Sequence, residues 1–229
     1  MSGLLIAATD TDCGKTVLTC ALLAYWRNYC SSRQLGVLKP VQSGEGDREL
    51  LRRVFNLEEA LSAINPVFFQ APLAPPIAAA LENKTVDLVP AWQRYTTLAQ
   101  QCDWVLVEGL GGLGSPVTDE LIVADLAADW RLPVVLVVPV KLGAIAAAVA
   151  NVALARQRRL QLQGIVLNCI SADAAPEQLA PPEMIGSLTQ VPVLRVMPYF
   201  DDPTDLAQLS AAARGLDLEA IMPAPFWVA

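Results

Sequence analysis

The chain contains no histidine. That absence removes the Ser-His-Asp triad, the Cys-His dyad and any zinc site that needs imidazole. Its five cysteines, at positions 13, 20, 30, 102 and 169, are odd in number and never fall in a C-x-x-C spacing. A thiolate zinc site or a disulfide framework is therefore not indicated, and reduced thiols point to a cytoplasmic protein. Charge is scarce too: charged residues make up 17%, the net charge is −7, and no long run of lysine and arginine occurs. Nucleic acid and anionic membranes need clustered positive charge, so neither is an expected partner. What remains for catalysis is lysine, carboxylates, hydroxyls, backbone amides or a bound metal.

What the chain has instead is apolar bulk. Hydrophobic residues make up 54% of it, which excludes a disordered chain and fits a tightly packed, helix-covered sheet. At 229 residues the expectation is one α/β domain, residues 1–229. The stretch "LPVVLVVPVKLGAIAAAVANVALA", 132–155, imitates a membrane span. Lys141 interrupts it, and Pro133, Pro139 and Gly143 split it into a β-rich and an alanine-rich half. A buried strand, a loop and a packed helix are predicted in its place. The amino-terminal "MSGLLIAATD" lacks the positive start and long apolar run of a secretory signal.

Six Val/Leu/Ile-rich runs recur along the chain, at 3–8, 35–39, 103–109, 133–140, 164–169 and 191–198. Runs apolar on both faces are what a parallel sheet covered by helices requires. Helical composition fills 15–30, 143–160, 176–189 and 204–214. The Pro-rich "NPVFFQAPLAPPIAAA", 65–80, reads as an ordered loop across the top of the sheet. The predicted fold is a doubly wound, mainly parallel α/β sheet with helices on both faces. In such sheets ligands gather at the carboxyl ends of the strands.

After the first run comes "ATDTDCGKT", residues 8–16. A strand–loop–helix unit ending in Gly14-Lys15-Thr16 offers backbone N–H groups and a helix amino terminus to phosphate oxygens. Lys15 adds a charge and Thr16 a hydroxyl for Mg²⁺. The strict pattern G-x-x-x-x-G-K-[ST] wants glycine at Thr9, so this is a variant phosphate loop, and the fold expected is P-loop NTPase-like. Asp10 and Asp12 lie inside the loop but need not face the phosphates: they can cap the loop's own amides or lie at the surface.

After the second run comes "KPVQSGEGD", 39–47. Lys39 falls where a side chain reaches the same crevice, Ser43, Gly44 and Gly46 permit close approach, and Asp47 offers a hard oxygen for Mg²⁺. Taken alone, this is also what an ordinary polar loop ahead of a helix looks like. After the third run, Glu108 ends a buried strand, where a carboxylate is costly unless paired. A magnesium ion shared with Thr16 and Asp47 would satisfy it, as would a salt bridge in a tight turn. The following glycines, Gly111 among them, keep side chains out of a ligand's way. After the fourth run, Lys141-Leu142-Gly143 opens a helix from about residue 144, whose free N–H groups can hold an anion. After the fifth, Asn168 can read the edge of a purine or simply occupy a turn. After the sixth, Pro198 and "YFDDPTD" can wall a base.

These strand ends together resemble the dethiobiotin synthetases, enzymes of biotin synthesis. That family's loop reads G-T-D-T-x-V-G-K-T, against Ala8 to Thr16 here. Its K-P-V-x-S-G matches Lys39 to Gly44, its V-E-G-A-G-G matches Val107 to Gly112 with Leu110 in place of alanine, and its V-K-L-G matches Val140 to Gly143. The similarity runs from residue 3 to about residue 200, in the family's order.

The resemblance implies ATP- and Mg²⁺-dependent closure of a ureido ring on 7,8-diaminononanoate and CO₂. The diamine forms a carbamate, ATP phosphorylates it, and the second amine displaces phosphate. It implies further that Thr16, Asp47 and Glu108 hold Mg²⁺ and that Lys15, Lys39 and Thr11 serve catalysis. Asp12, Cys13, Gly14, Lys15, Thr16 and Val17, with Asn168 and Pro198, would contact ATP. Thr11, Lys39, Ser43 and Gly111 would meet the diamine, and Gly143, Ala144 and Ile145 its carboxylate across a homodimer interface. The alternative is an ATP switch of the MinD/ParA kind. Those loops resemble K-G-G-x-G-K-T with an early lysine, which Thr9 to Asp12 lack, and the tail "MPAPFWVA" has no basic amphipathic helix for a membrane.

Overall fold

The computed structural model describes residues 3–222; the tail beyond Met222, read above for membrane attachment, lies outside them. In chain order the elements are β1 (Gly3–Ala8), α1 (Lys15–Tyr29), β2 (Leu35–Leu38), β3 (Val41–Ser43), α2 (Asp47–Phe55), α3 (Leu61–Ile64) and β4 (Val67–Phe69). There follow α4 (Pro75–Leu81), α5 (Val89–Gln101), β5 (Trp104–Glu108), α6 (Val123–Asp129) and β6 (Val134–Pro139). The rest are α7 (Ala144–Gln157), β7 (Leu162–Asn168), α8 (Pro176–Leu179), α9 (Pro182–Thr189), β8 (Val193–Met197), α10 (Leu206–Arg214) and α11 (Leu218–Ile221).

Six strands form one sheet in the order β2-β5-β1-β6-β7-β8, every pair parallel. These are the six apolar runs of the sequence. Side chains alternate between the two faces of a strand, so each run is divided between two cores. Leu5 and Ala7 of β1 join Val105 and Val107 of β5 under α5, α6 and α7. Leu4, Ile6 and Ala8 join Leu106, Val135 and Val137 under α1 and α10. Full burial of a Leu or Ile is worth about 1.5–3 kcal/mol, and strands such as β1 and β6, buried at every position, collect that on both faces. The imitation membrane span resolves into β6, the exposed Lys141–Gly143 loop and α7. Among the described residues no helix is long and apolar enough to cross a membrane.

Two expectations need correction. The Pro-rich segment 65–80 is not irregular: it holds β4, which pairs in parallel with β3 as a separate two-stranded ribbon, and most of α4. Pro75 sits at the first turn of α4, where its missing N–H costs nothing, and an alanine run continues the helix. The predicted helix 176–189 is broken into α8 and α9, because Pro181 and Pro182 cannot donate to the turn before them and so start a new helix.

Candidate active site

The crevice lies where β1 is flanked by β5 on one side and β6 on the other, at the carboxyl ends. Between β1 and α1 the chain turns through Thr9–Gly14, and Gly14 enters the helix at φ 95°. The first N–H groups of α1 have no partner within the helix and face out from this turn. Asp10 Oδ1 accepts the Thr11 N–H at 2.7 Å, so this acid caps the loop's own amide. Asp12, at φ 54°, borders the open cavity. Ala8, glycine in the family loop, is accommodated in the extended backbone of β1.

Four charged groups converge beyond the loop. Lys15 Nζ donates to the carbonyls of Gly111 at 2.8 Å and Asp10 at 3.2 Å. Lys39 Nζ donates to Glu108 Oε1 at 2.8 Å and also to Asp47 Oδ2. Both lysines and Glu108 are buried. Burial, then the charge of Lys39, draws the Lys15 ammonium below its ordinary pKa. Burial works the same way on Lys39, but Glu108 and Asp47 outweigh it and hold that ammonium above its ordinary range. Burial pushes the Asp47 carboxyl up, and Lys39 with the Thr16 hydroxyl more than reverses this.

Thr16 stands between the two carboxylates, 2.9 Å from Glu108 Oε1 and 3.1 Å from Asp47 Oδ1. A hydroxyl has one proton, so only one of these oxygens receives it. Glu108 Oε2 is buried with no hydrogen-bond partner. An orphaned buried acceptor costs about 1–3 kcal/mol, more when charged. Crowded hard oxygens with an unsatisfied lone pair are the donor set that suits Mg²⁺.

A cavity of about 760 Å³ opens beside this cluster. The loop from Thr11 to Val17, Lys39, Ser43, Asp47 and Gly111 form its polar side. Its other side is apolar: Pro72, Leu73, Ala74, Pro75, Leu110 and Pro116. The sequence assigned none of this apolar side a role in the site, although the Pro-rich run expected across the sheet contains four of its residues. Gln42 and Ser115 also border the cavity and were passed over.

The remaining candidates stand apart from that cavity. Asn168, at the end of β7, donates from Nδ2 to the Cys13 carbonyl at 3.2 Å, behind the phosphate loop. Pro198 follows Met197, the β8 partner of Asn168 in register, and is exposed. Gly143, Ala144 and Ile145 begin α7 beside Leu142, which is 89% exposed.

A parallel sheet whose first strand ends in a lysine-bearing loop and a helix amino terminus defines a P-loop NTPase-like α/β protein. Among solved structures, the ParA family ATPase of Chlorobium tepidum TLS superposes with a TM-score of 0.59 at 12% identity, covering 93% of this chain and 96% of that one. The septum site-determining protein MinD of Pyrococcus horikoshii OT3, solved with Mg-ADP, gives 0.56 at 17% identity, covering 95% and 90%. At such identities the likeness is one of fold alone. A family model described as an AAA domain matches residues 2–206. The ATP-dependent dethiobiotin synthetase BioD of Gloeothece citriformis is 53% identical over 226 residues, 97% of this chain and 100% of the relative. That of Crocosphaera subtropica is 50% identical over 223 residues, 96% and 100%. The chain belongs to the dethiobiotin synthetase family.

Proposed function

We infer that this chain is an ATP-dependent enzyme that closes a ureido ring on 7,8-diaminononanoate with CO₂, giving dethiobiotin. The observation that carries the reading is the convergence of Lys15, Thr16, Lys39, Asp47 and Glu108 beside a cavity with one polar and one apolar side. The fold shared with ParA and MinD does not by itself favour a switch.

Thr16, Asp47 and Glu108 are the residues that would hold Mg²⁺; the shared hydroxyl and the unpaired Glu108 Oε2 support this. When bound, the ion would supply neutralisation of phosphate charge. The loop amides from Asp12 to Val17 hold phosphate oxygens. Lys15 and Lys39 balance charge that gathers on the γ-phosphate and the carbamate. Thr11 and Ser43 hold the diamine near Gly111; Ser43 Oγ is buried without a partner, which supports a ligand contact there. The apolar side suits the hydrocarbon chain of a diamino acid, at about 0.8 kcal/mol per buried CH₂. No side-chain nucleophile is needed, because positioning and charge neutralisation do the work.

Asn168 and Pro198, adjacent at the ends of β7 and β8, would receive the base. Gly143, Ala144 and Ile145 would receive the substrate carboxylate from a second copy. An exposed strip of small apolar residues on α7 (Ala146, Val149, Ala150 and Ala153) supports a homodimer. Cysteines that form no disulfide among the described residues support a cytoplasmic setting, and we read residues 1–229 as one P-loop domain.

The test is direct: purified protein with ATP, Mg²⁺, bicarbonate and 7,8-diaminononanoate, assayed for the cyclic urea. Phosphate release that requires the diamine is the expected result. Release stimulated only by a protein or lipid surface would favour a switch instead.

A further inference from the structure

The loop that delivers Asp47 is made of residues that hold themselves poorly. Between Ser43 and Asp47 lie Gly44 and Gly46, at φ 77° and 146°. Glycines give the chain reach there but leave it many alternative conformations. α2 also starts without an N-cap side chain, since that position is Gly46. Something else has to fix the first turn that carries Asp47.

Gln42 supplies it. The side chain is 4% exposed, and each polar atom of its amide is engaged across this loop. Oε1 accepts the Arg48 N–H at 3.0 Å, one of the amides at the start of α2 that the helix cannot satisfy. Nε2 donates to the Gly44 carbonyl at 2.9 Å and to Glu49 Oε2 at 3.2 Å. Glu49 Oε2 in turn accepts the Gly46 N–H at 2.9 Å. The Gln42–Glu49 pair therefore holds the amides of Gly46 and Arg48, the two residues that flank Asp47.

We propose that Gln42 is a positioning residue for Asp47: acting through the Arg48 and Gly46 amides, it sets the carboxylate beside Thr16 and Lys39 and so tunes the affinity of the cation site. Its amide is occupied by the loop, so it works through the backbone and not by touching substrate. The inference rests on the reading of Thr16, Asp47 and Glu108 as a Mg²⁺ site.

Gln42→Leu keeps the bulk and removes all three bonds. The Mg²⁺ needed for half-maximal binding of a fluorescent ATP analogue should rise by about tenfold, while half-saturating diamine changes by less than about twofold. Gln42→Glu, which sets two carboxylates together, should raise the Mg²⁺ requirement as well. Should Gln42→Leu fail to fold, Gln42→Glu answers the same question, since it keeps an acceptor for the Arg48 N–H but loses the donor to the Gly44 carbonyl and Glu49. Asp47→Asn is the reference. If it leaves the Mg²⁺ requirement unchanged, the metal reading fails and this proposal with it. If it raises the requirement while the Gln42 variants do not, the Gln42 proposal alone is overturned.

Discussion

The Lys39 ammonium lies 2.8 Å from Glu108 Oε1, and the two side chains are 3% and 0% exposed. Lys39 also pairs with Asp47, so one buried cation serves two anions. Removing the lysine leaves both carboxylates without it; removing Glu108 leaves the lysine its second partner. Lys39→Met should therefore cost about 3–5 kcal/mol in urea unfolding, and Glu108→Gln clearly less. Equal losses would contradict the shared-cation geometry. Mg²⁺ should raise the Tm of Lys39→Met more than that of the native protein, because a bound cation stabilises the fold by mass action and replaces the missing charge.

Lys15 has the opposite standing. Burial first, and the neighbouring charge of Lys39 second, pull its pKa below 10.5. Charged Lys15 thus weighs against the ligand-free fold. Between the folded value and 10.5 the unfolded chain binds more protons, so stability rises with pH across that interval. Lys15→Met should leave stability within about 1 kcal/mol of native, the lost hydrogen bonds offset by relief of a buried charge. Product formation should fall by more than about a hundredfold. ATP reverses the balance by favouring the charged form, so binding in alkaline solution should take up a proton. Calorimetric heats would then vary with the buffer's ionisation enthalpy; heats independent of buffer would remove Lys15 from the phosphate site.

The Lys39–Asp47 contact sets limits at both ends of the pH scale. Asp47 titrates below 3.8 in the folded protein. Its contribution is present above that unfolded value and is lost as pH falls through the lower, folded one. Lys39 titrates above 10.5 when folded, so its contribution is complete below 10.5 and is lost as pH climbs through the raised value. Asp47→Asn should flatten the acid limb of a Tm-against-pH profile and keep the alkaline limb, which Glu108 still supports. An unchanged acid limb would mean that Asp47 titrates alike in both states.

The six strands of the main sheet were legible because each is mostly apolar with no alternation of polar residues, a pattern that a sheet covered on both faces rewards. The β3–β4 ribbon was not, since strands of three residues carry no period. α4 hid behind Pro75 and Pro76, which read as loop until a helix's first turn is recognised as the place that tolerates them. In the candidate site, the strand-end rule picked out Lys15, Thr16, Lys39, Asp47 and Glu108, which the fold brings together because their positions follow from topology. It could not say that the amide of Asn168 turns onto the Cys13 carbonyl, because side-chain direction there depends on contact with Gly14. Gln42 was silent for a related reason: its role lies in three bonds to a loop, not in its spacing.

Gly14 and Asn168 share one small space, and this yields a last prediction. Gly14 has φ +95°, and a Cβ added there would lie 2.1 Å from Asn168 Nδ2. Gly14→Ala must therefore adopt a left-handed backbone, at about 1–2 kcal/mol, and also push Asn168 off the Cys13 carbonyl. ATP affinity should drop by at least about tenfold if displacing the loop costs a further 1.4 kcal/mol at the phosphates. Adding Asn168→Ala makes room, so stability should recover in part while the backbone strain stays; no recovery would mean that the loop conformation alone is responsible. Asn168→Ala by itself separates two roles. If the amide only braces the loop, all nucleoside triphosphates should weaken alike in a competition assay. If it also meets the base, ATP should lose its advantage over GTP and CTP, since a site built to hydrogen-bond one edge discriminates by the partner it would otherwise leave unpaired.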